Sequence, residues 1–320
     1  MSAGWEYRAE LRYCRLHDGA VAAVQSALLV VFLAAGPVVC AQQRSEDEPQ
    51  ISMKVIDAIP YAAPDGHELY LDLYLPDDVE HPPLLVWVHG GGWQFGDRAP
   101  VPTTAFVGDG YAIASVDYRL SPVAPFPAQI YDVKAAIRFL RANAARYAYD
   151  ATRIGILGAS AGGHLAALVG TTNGDEQLEG SVGDDLGQSS SVQAVVSYFG
   201  ASNLTTILDQ STPFGLKLRV PGLTALLGGP LEEKMDLARL ASPVFHVDGD
   251  DPPLLLLHGD QDPQMPINQS HELYGAYKAM GLDAHFEVVH GAAHGGDVFF
   301  DAAHIAAVRA FLDKHIRGIY

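Results

Sequence analysis

From His67 to Leu75 apolar and polar residues alternate strictly, with Leu69, Leu71, Leu73 and Leu75 on one face and Glu68, Tyr70, Asp72 and Tyr74 on the other. A period of two predicts a strand, and its polar second face predicts a half-exposed, antiparallel strand at a sheet edge. Later apolar runs do not alternate: Leu84 to Val88, Ile154 to Leu157, Ala194 to Val196 and Leu254 to Leu257. Continuous runs of this length suit strands buried on both faces. Between them the apolar spacing changes to three and four residues. Ile130, Val133, Ile137, Leu140, Ala144 and Tyr147 form one helical stripe, as do Leu273, Tyr277 and Met280, and Ile305, Val308, Leu312 and Ile316.

Strands alternating with helices predict an α/β domain with a mostly parallel sheet covered on both faces, spanning 51–320. In such sheets ligands gather at the carboxyl ends of the strands, so chemistry is expected just after each apolar run. Two segments break the rhythm. Thr171 to Ser191 is rich in Gly, Ser and acids and predicts a surface loop, while 200–251 mixes Pro, Gly and short helical pieces and predicts a small cap.

Four motifs fall at the expected strand ends. Gly158-Ala159-Ser160-Ala161-Gly162 follows a strand and precedes a helix, the context required of a nucleophile elbow, and Ser160 is the candidate nucleophile. His89-Gly90-Gly91-Gly92-Trp93 follows another strand. Bare glycine backbone presents N–H groups without obstruction to an oxygen that turns anionic when a carbonyl is attacked, so Gly91 and Gly92, with the Ala161 N–H, are the candidate oxyanion donors. His89 is expected to shape that loop.

His258-Gly259-Asp260-Gln261-Asp262-Pro263 follows the leucine strand and supplies a carboxylate to orient a base. Asp262 is preferred to Asp260 because Pro263 and Pro266 stiffen the backbone that presents it. His290-Gly291-Ala292-Ala293-His294 ends the next strand, with His294 the candidate base and His290 the competitor nearer the strand. The chain order Ser, Asp, His is that of α/β-hydrolases. Trp93 and Phe214, with Tyr198 and Phe199, are the aromatic candidates for a substrate pocket.

The charge balance narrows the partners. Twenty Lys and Arg stand against 38 Asp and Glu, a formal charge of −18 in 320 residues, which repels nucleic acid and anionic membrane surfaces. The 13 histidines include no pair at metal-ligand spacing such as H-E-x-x-H, so no metal and no other cofactor is expected. The N-terminus changes the picture further. Ala20 to Val39 is apolar, ends in Val39-Cys40-Ala41 and is followed by a polar stretch, which predicts a signal peptide over 1–41, cleavage after Ala41, a linker over 42–50 and a secreted or periplasmic product. Retention as an N-terminal anchor and acylation at Cys40 are the alternatives. The only cysteines, Cys14 and Cys40, fall in this segment, so a catalytic thiol is excluded downstream of it.

His89 to Trp93, Val116-Asp117-Tyr118-Arg119-Leu120-Ser121-Pro122 and Gly158 to Gly163 together resemble the HGGG esterases and lipases. Ala159 stands where hormone-sensitive-lipase-like enzymes carry Asp, and Phe126-Pro127-Ala128-Gln129 is more similar to the bacterial feruloyl-esterase-like (BD-FAE-like) branch. That resemblance implies an α/β-hydrolase fold and hydrolysis of small or polysaccharide-linked esters with short or aromatic acyl groups. It maps Ser160, Asp262 and His294 onto the triad. Asn203 departs from the Asp of that pattern. An arylformamidase acting on amides with the same triad, and a binding protein that kept the fold without the chemistry, are the competing expectations.

Overall fold

The computed structural model describes residues 51–319; the predicted signal segment over 1–41, with Cys14 and Cys40, and the linker over 42–50 lie outside the described residues. The described residues hold one sheet of eight strands: β1 (Met53–Ala62), β2 (Leu69–Pro76), β3 (Pro83–Val88), β4 (Ala112–Val116), β5 (Asp150–Ala159), β6 (Ala194–Tyr198), β7 (Leu254–Gly259) and β8 (Ala284–Val289). Their order is β1-β2-β4-β3-β5-β6-β7-β8. From β4 through β8 every pairing is parallel, while β2 runs antiparallel to both β1 and β4.

The expected edge position of β2 is therefore corrected. β2 is antiparallel as predicted but lies inside the sheet, and Asp72 on its polar face is buried. That face is polar because it holds an ion pair: the Asp72 carboxylate accepts from the Ala58 N–H at 2.7 Å and from Arg98 Nε at 2.8 Å. The edge on that side of the sheet is β1, whose register against β2 slips between Ile56 and Ile59 and again between Pro60 and Ala62, with Ala58 at φ 52°. Bulges break the period of two, so β1 carries no alternation to detect.

The buried runs behave as their continuity requires. Along β3, Leu84, Val86 and Val88 pack in one core with the helices α1 (Ala128–Ala142) and α2 (Ala161–Gly170). Leu85 and Trp87 pack in the other with Val308 and Leu312. Between β6 and β7 the inserted segment contributes its longest helix, α3 (Pro213–Leu227), and α4 (Asn268–Ala279) and α5 (Ala302–Leu312) complete the cover. The predicted stripe from Ile130 to Tyr147 is broken at Asn143: α1 ends there and Ala144 and Tyr147 belong to a separate turn. Met280 closes α4 but is exposed, so it leaves the apolar stripe of Leu273 and Tyr277. The acidic loop after α2 is tied down, because Glu179 accepts from Lys134 Nζ at 2.8 Å and from Arg138 Nη1 at 2.9 Å.

The segment after β4 connects the sheet to the functional loops. Arg119 and Asp132 of α1 form a buried two-pronged pair, Nε to Oδ2 and Nη2 to Oδ1, both 2.8 Å, and the Arg119 N–H adds a third bond at 2.9 Å. Removing one partner of such a pair strands the other charge, which typically costs about 3–5 kcal/mol. Asp132→Ala is expected to lower unfolding free energy by about that amount in urea titrations. Adding Arg119→Met to the same chain should recover much of the loss; if the single and double variants are equally unstable, the charge pairing is not what matters.

Candidate active site

Ser160 joins β5 to α2 with φ 56° and ψ −115°, a left-handed conformation that a residue with a side chain adopts only under constraint. The constraint is close packing. A Cβ at Gly162 would run into the carbonyl oxygens of Val88 and His89 at the end of β3, and one at Gly158 would meet the Gly162 carbonyl. With glycine at both positions the turn tightens against β3 and presents Ser160 at the carboxyl edge of the sheet, as the G-x-S-x-G pattern requires.

The candidate base and acid come from the next loops along that edge. His294 Nε2 lies 2.9 Å from Ser160 Oγ, and His294 Nδ1 lies 2.6 Å from Asp262 Oδ2. The three residues singled out from the sequence thus form one hydrogen-bonded chain. The Asp262 side chain is fully enclosed, and its other oxygen accepts from the N–H groups of Gln264 and Met265, both at 2.8 Å. Burial alone pushes its carboxyl up, but hydrogen bonds from His258 and His294, the His294 charge and the Met265 N–H outweigh burial and hold it well below the usual carboxylate range. Asp262 is therefore an anion at neutral pH. His258, buried between Ser270 Oγ at 2.7 Å and Met265 O at 3.1 Å, steadies the loop from beneath.

The rivals of these residues pair with each other. His290 Nδ1 lies 2.8 Å from Asp260 Oδ2, and the Gly291 N–H donates to Asp260 at 2.8 Å, on an exposed turn where His290 is 84% exposed. Neither has a hydrogen bond to Ser160.

The glycine loop after β3 lies against the nucleophile: a Cβ at Gly90 would sit 2.9 Å from the Ala159 carbonyl and 3.4 Å from Ser160 Cβ. Gly91, at φ 105°, accepts from the Gln94 and Phe95 N–H groups at 3.1 Å, closing the turn. Among the described residues no acceptor meets the N–H of Gly91, Gly92 or Ala161, so all three remain free to donate. His89 stacks on Tyr118 with ring centroids 4.4 Å apart, its Nδ1 lies 2.8 Å from Gly90 O, and the Tyr118 hydroxyl donates to His89 O at 3.1 Å. Ser121 bonds Trp93 O through both N–H and hydroxyl, at 2.7 and 3.1 Å. The Val116 to Pro122 segment, noticed in the sequence only as a resemblance, is thus the mount of the glycine loop.

Trp93 is corrected. It is 1% exposed and forms no pocket wall, because its indole N–H donates to His164 Nδ1 at 3.1 Å inside the core. Tyr198 and Phe199 are also buried; Phe199 packs edge-on to His294 at 4.8 Å and braces the imidazole. Phe214 is 52% exposed in the first turn of α3, beside Thr212, whose hydroxyl donates to Pro263 O at 2.9 Å. Asn203 donates to Glu272 Oε2 at 2.6 Å, where an Asp would set two carboxylates face to face. Sequence reading missed Arg219 of α3, which reaches the acid loop; a lone arginine in an irregular segment gives no periodic signal.

The model of the family described as BD-FAE matches residues 71–277. Esterase LipC of Mycobacterium tuberculosis is 32% identical over 68% of this chain and 53% of its own length. The isoprenylcysteine alpha-carbonyl methylesterase ICME of Arabidopsis thaliana is 30% identical over 70% of this chain and 53% of its own length. The chain spans about half the length of the curated relatives it matches. Among solved structures, a truncated carbohydrate esterase from gut microbiota is 33% identical with TM-score 0.76, covering 82% of this chain and 96% of that one. Esterase Est2 of Thermogutta terrifontis is 26% identical with TM-score 0.66, covering 83% and 92%.

The buried Trp93 and His164 pair makes stability depend on pH. His164 Nδ1 accepts from Trp93 and Nε2 donates to Ala241 O at 2.6 Å, so a second ring proton would break the tryptophan bond. Burial lowers the His164 pKa to about 4, against an ordinary value near 6.5. The unfolded chain then binds the proton first. This contribution is fully present above about pH 6.5 and is lost as pH falls towards 4, by about 3 kcal/mol in all. In His164→Gln the fall in unfolding free energy between pH 7 and 4 should be shallower by about that amount, read by urea titration at each pH; an unchanged slope would show that His164 does not titrate with unfolding.

Proposed function

Because the chain belongs to the BD-FAE family of α/β-hydrolases, we propose that it is a serine carboxylesterase working through an acyl-enzyme on small esters. The observation that carries this reading is the unbroken chain from Ser160 Oγ through His294 to the enclosed Asp262. His294 takes the Ser160 proton as Oγ attacks the ester carbonyl, and Asp262 steadies the imidazolium. The carbonyl oxygen, now an anion, is met by the Gly91, Gly92 and Ala161 N–H groups. Collapse breaks the ester C–O bond, the alcohol leaves with the proton from His294, and Ser160 keeps the acyl group. Water then attacks with His294 as base, and release of the acid restores the serine. No step draws on a metal or organic cofactor.

A short or aromatic acyl group is the substrate class we favour. The solved forms of Est2 with propionate and with butyrate support the short acyl chain, and the gut carbohydrate esterase supports an acylated saccharide as its carrier. Phe95 and Phe214, 71% and 52% exposed, offer apolar faces from the glycine loop and from α3. We place the work outside the cytoplasm on the apolar run Ala20 to Val39 and the small residues at Val39 and Ala41.

The purified protein is expected to release p-nitrophenol from the acetate and butyrate esters faster than from the octanoate. Ser160→Ala and His294→Ala should each lower kcat by about 10⁴-fold or more, and Asp262→Ala by somewhat less. A folded protein inert towards all three esters but active on formyl anilides would replace the ester reading with an amide one. Undiminished turnover in Ser160→Ala would remove Ser160 as nucleophile.

A further inference from the structure

The helix α3 crosses the site as a bridge. At one end Gly215 faces the acid loop, where a Cβ would come 3.0 Å from Pro263 O, and two turns on Gly222 faces the glycine loop, where a Cβ would come 3.6 Å from Gln94 Nε2. Arg219 lies on the same inward stripe between them and is 5% exposed. Its Nε donates to Gln264 O at 3.1 Å, two residues beyond Asp262, whose charge it feels.

The rest of its guanidinium is unmatched. Three arginines among the described residues are less than a tenth exposed, and Arg119 and Arg138 are each paired with a carboxylate, Asp132 and Glu179. Arg219 has no such partner among the described residues, and neither Nη group donates a hydrogen bond, though neither is sealed from solvent. A guanidinium largely removed from water without a carboxylate partner loses hydration that a bound anion would replace. Its planar fork matches a carboxylate with two parallel bonds, which an ammonium does not. In a chain of net charge −18, a cation without an ion-pair partner on the loop that carries the candidate acid is also a local reversal of the general repulsion of anions.

We propose that Arg219 is a specificity-determining residue that binds a carboxylate carried by the substrate close to the scissile ester. The proposal deepens the esterase reading and rests on it for the position of the ester. The carboxylate sits on the acyl side in a half-ester of a dicarboxylic acid, or on the alcohol side in an ester of a hydroxy or sugar acid.

Two probe pairs separate these sources: mono-4-nitrophenyl succinate against 4-nitrophenyl butyrate for the acyl side, and 4-acetoxybenzoate against its methyl ester for the alcohol side, each corrected for spontaneous hydrolysis. In the wild type one pair should show a lower KM for the anionic member. In Arg219→Gln the anionic-to-neutral ratio of kcat/KM for that pair should fall at least about tenfold, mostly through KM, with Arg219→Lys in between. Raising the salt should shrink the wild-type advantage. Succinate binding to Ser160→Ala by calorimetry, compared with Arg219→Gln/Ser160→Ala, tests the site without turnover and survives a failure of the esterase reading. Equal ratios in wild type and Arg219→Gln for both pairs, or succinate binding that Arg219→Gln leaves unchanged, would overturn the proposal.

Discussion

The contact between the Gly162 turn and the end of β3 is the constraint on which the site depends. It holds Ser160 in a backbone conformation that its own side chain disfavours, at a typical local cost of about 1–3 kcal/mol. The same contact fixes the glycine loop, because that loop begins one residue after Val88, whose carbonyl Gly162 abuts. Nucleophile and oxyanion donors are therefore not positioned independently. They are two exits from one parallel strand pair, β3 and β5, and the β3/β5 register sets their relation.

The acid and base are assembled differently, by loops rather than by strand ends alone. Asp262 is fixed by two backbone N–H groups and by His258, and His294 by Phe199. Of these supports His258 and Phe199 are buried, so each loop is anchored to the core although it lies outside the sheet. The contrast with Asp260 and His290 is instructive. The same two residue types, at 2.8 Å against 2.6 Å, form an ordinary surface pair when exposed. Environment, and not residue identity, separates a candidate catalytic pair from a solvated one.

Much of this arrangement was legible from the chain. Gly158 to Gly162, His89 to Gly92, Asp262 and His294 stand in contexts where the strand signal is strong and the motif follows immediately. Legibility failed where local pattern and tertiary role part company. The bulged β1 carries no alternation, so the pattern alone points to β2 as the edge. Asp72 and Tyr74 looked like a solvated face because a buried ion pair and a water-facing charge are written with the same letters. The place of Trp93 beside the glycine loop suggests a pocket wall, whereas its direction is set by His164, 71 residues further along. Arg219 was invisible for a related reason: its significance lies in the partner it lacks, and a sequence does not record absent neighbours.

The irregularity of β1 has a bearing on how the protein behaves when many copies share a small volume. A straight outer strand is an open row of donors and acceptors on which another chain can grow a β-ribbon. Here the two register slips, the left-handed Ala58 and the missing N–H at Pro60 interrupt that row within ten residues. What makes this border hard to recognise also makes it a poor template for fibril growth, so on that side solubility at high concentration is written into the backbone rather than left to surface charge.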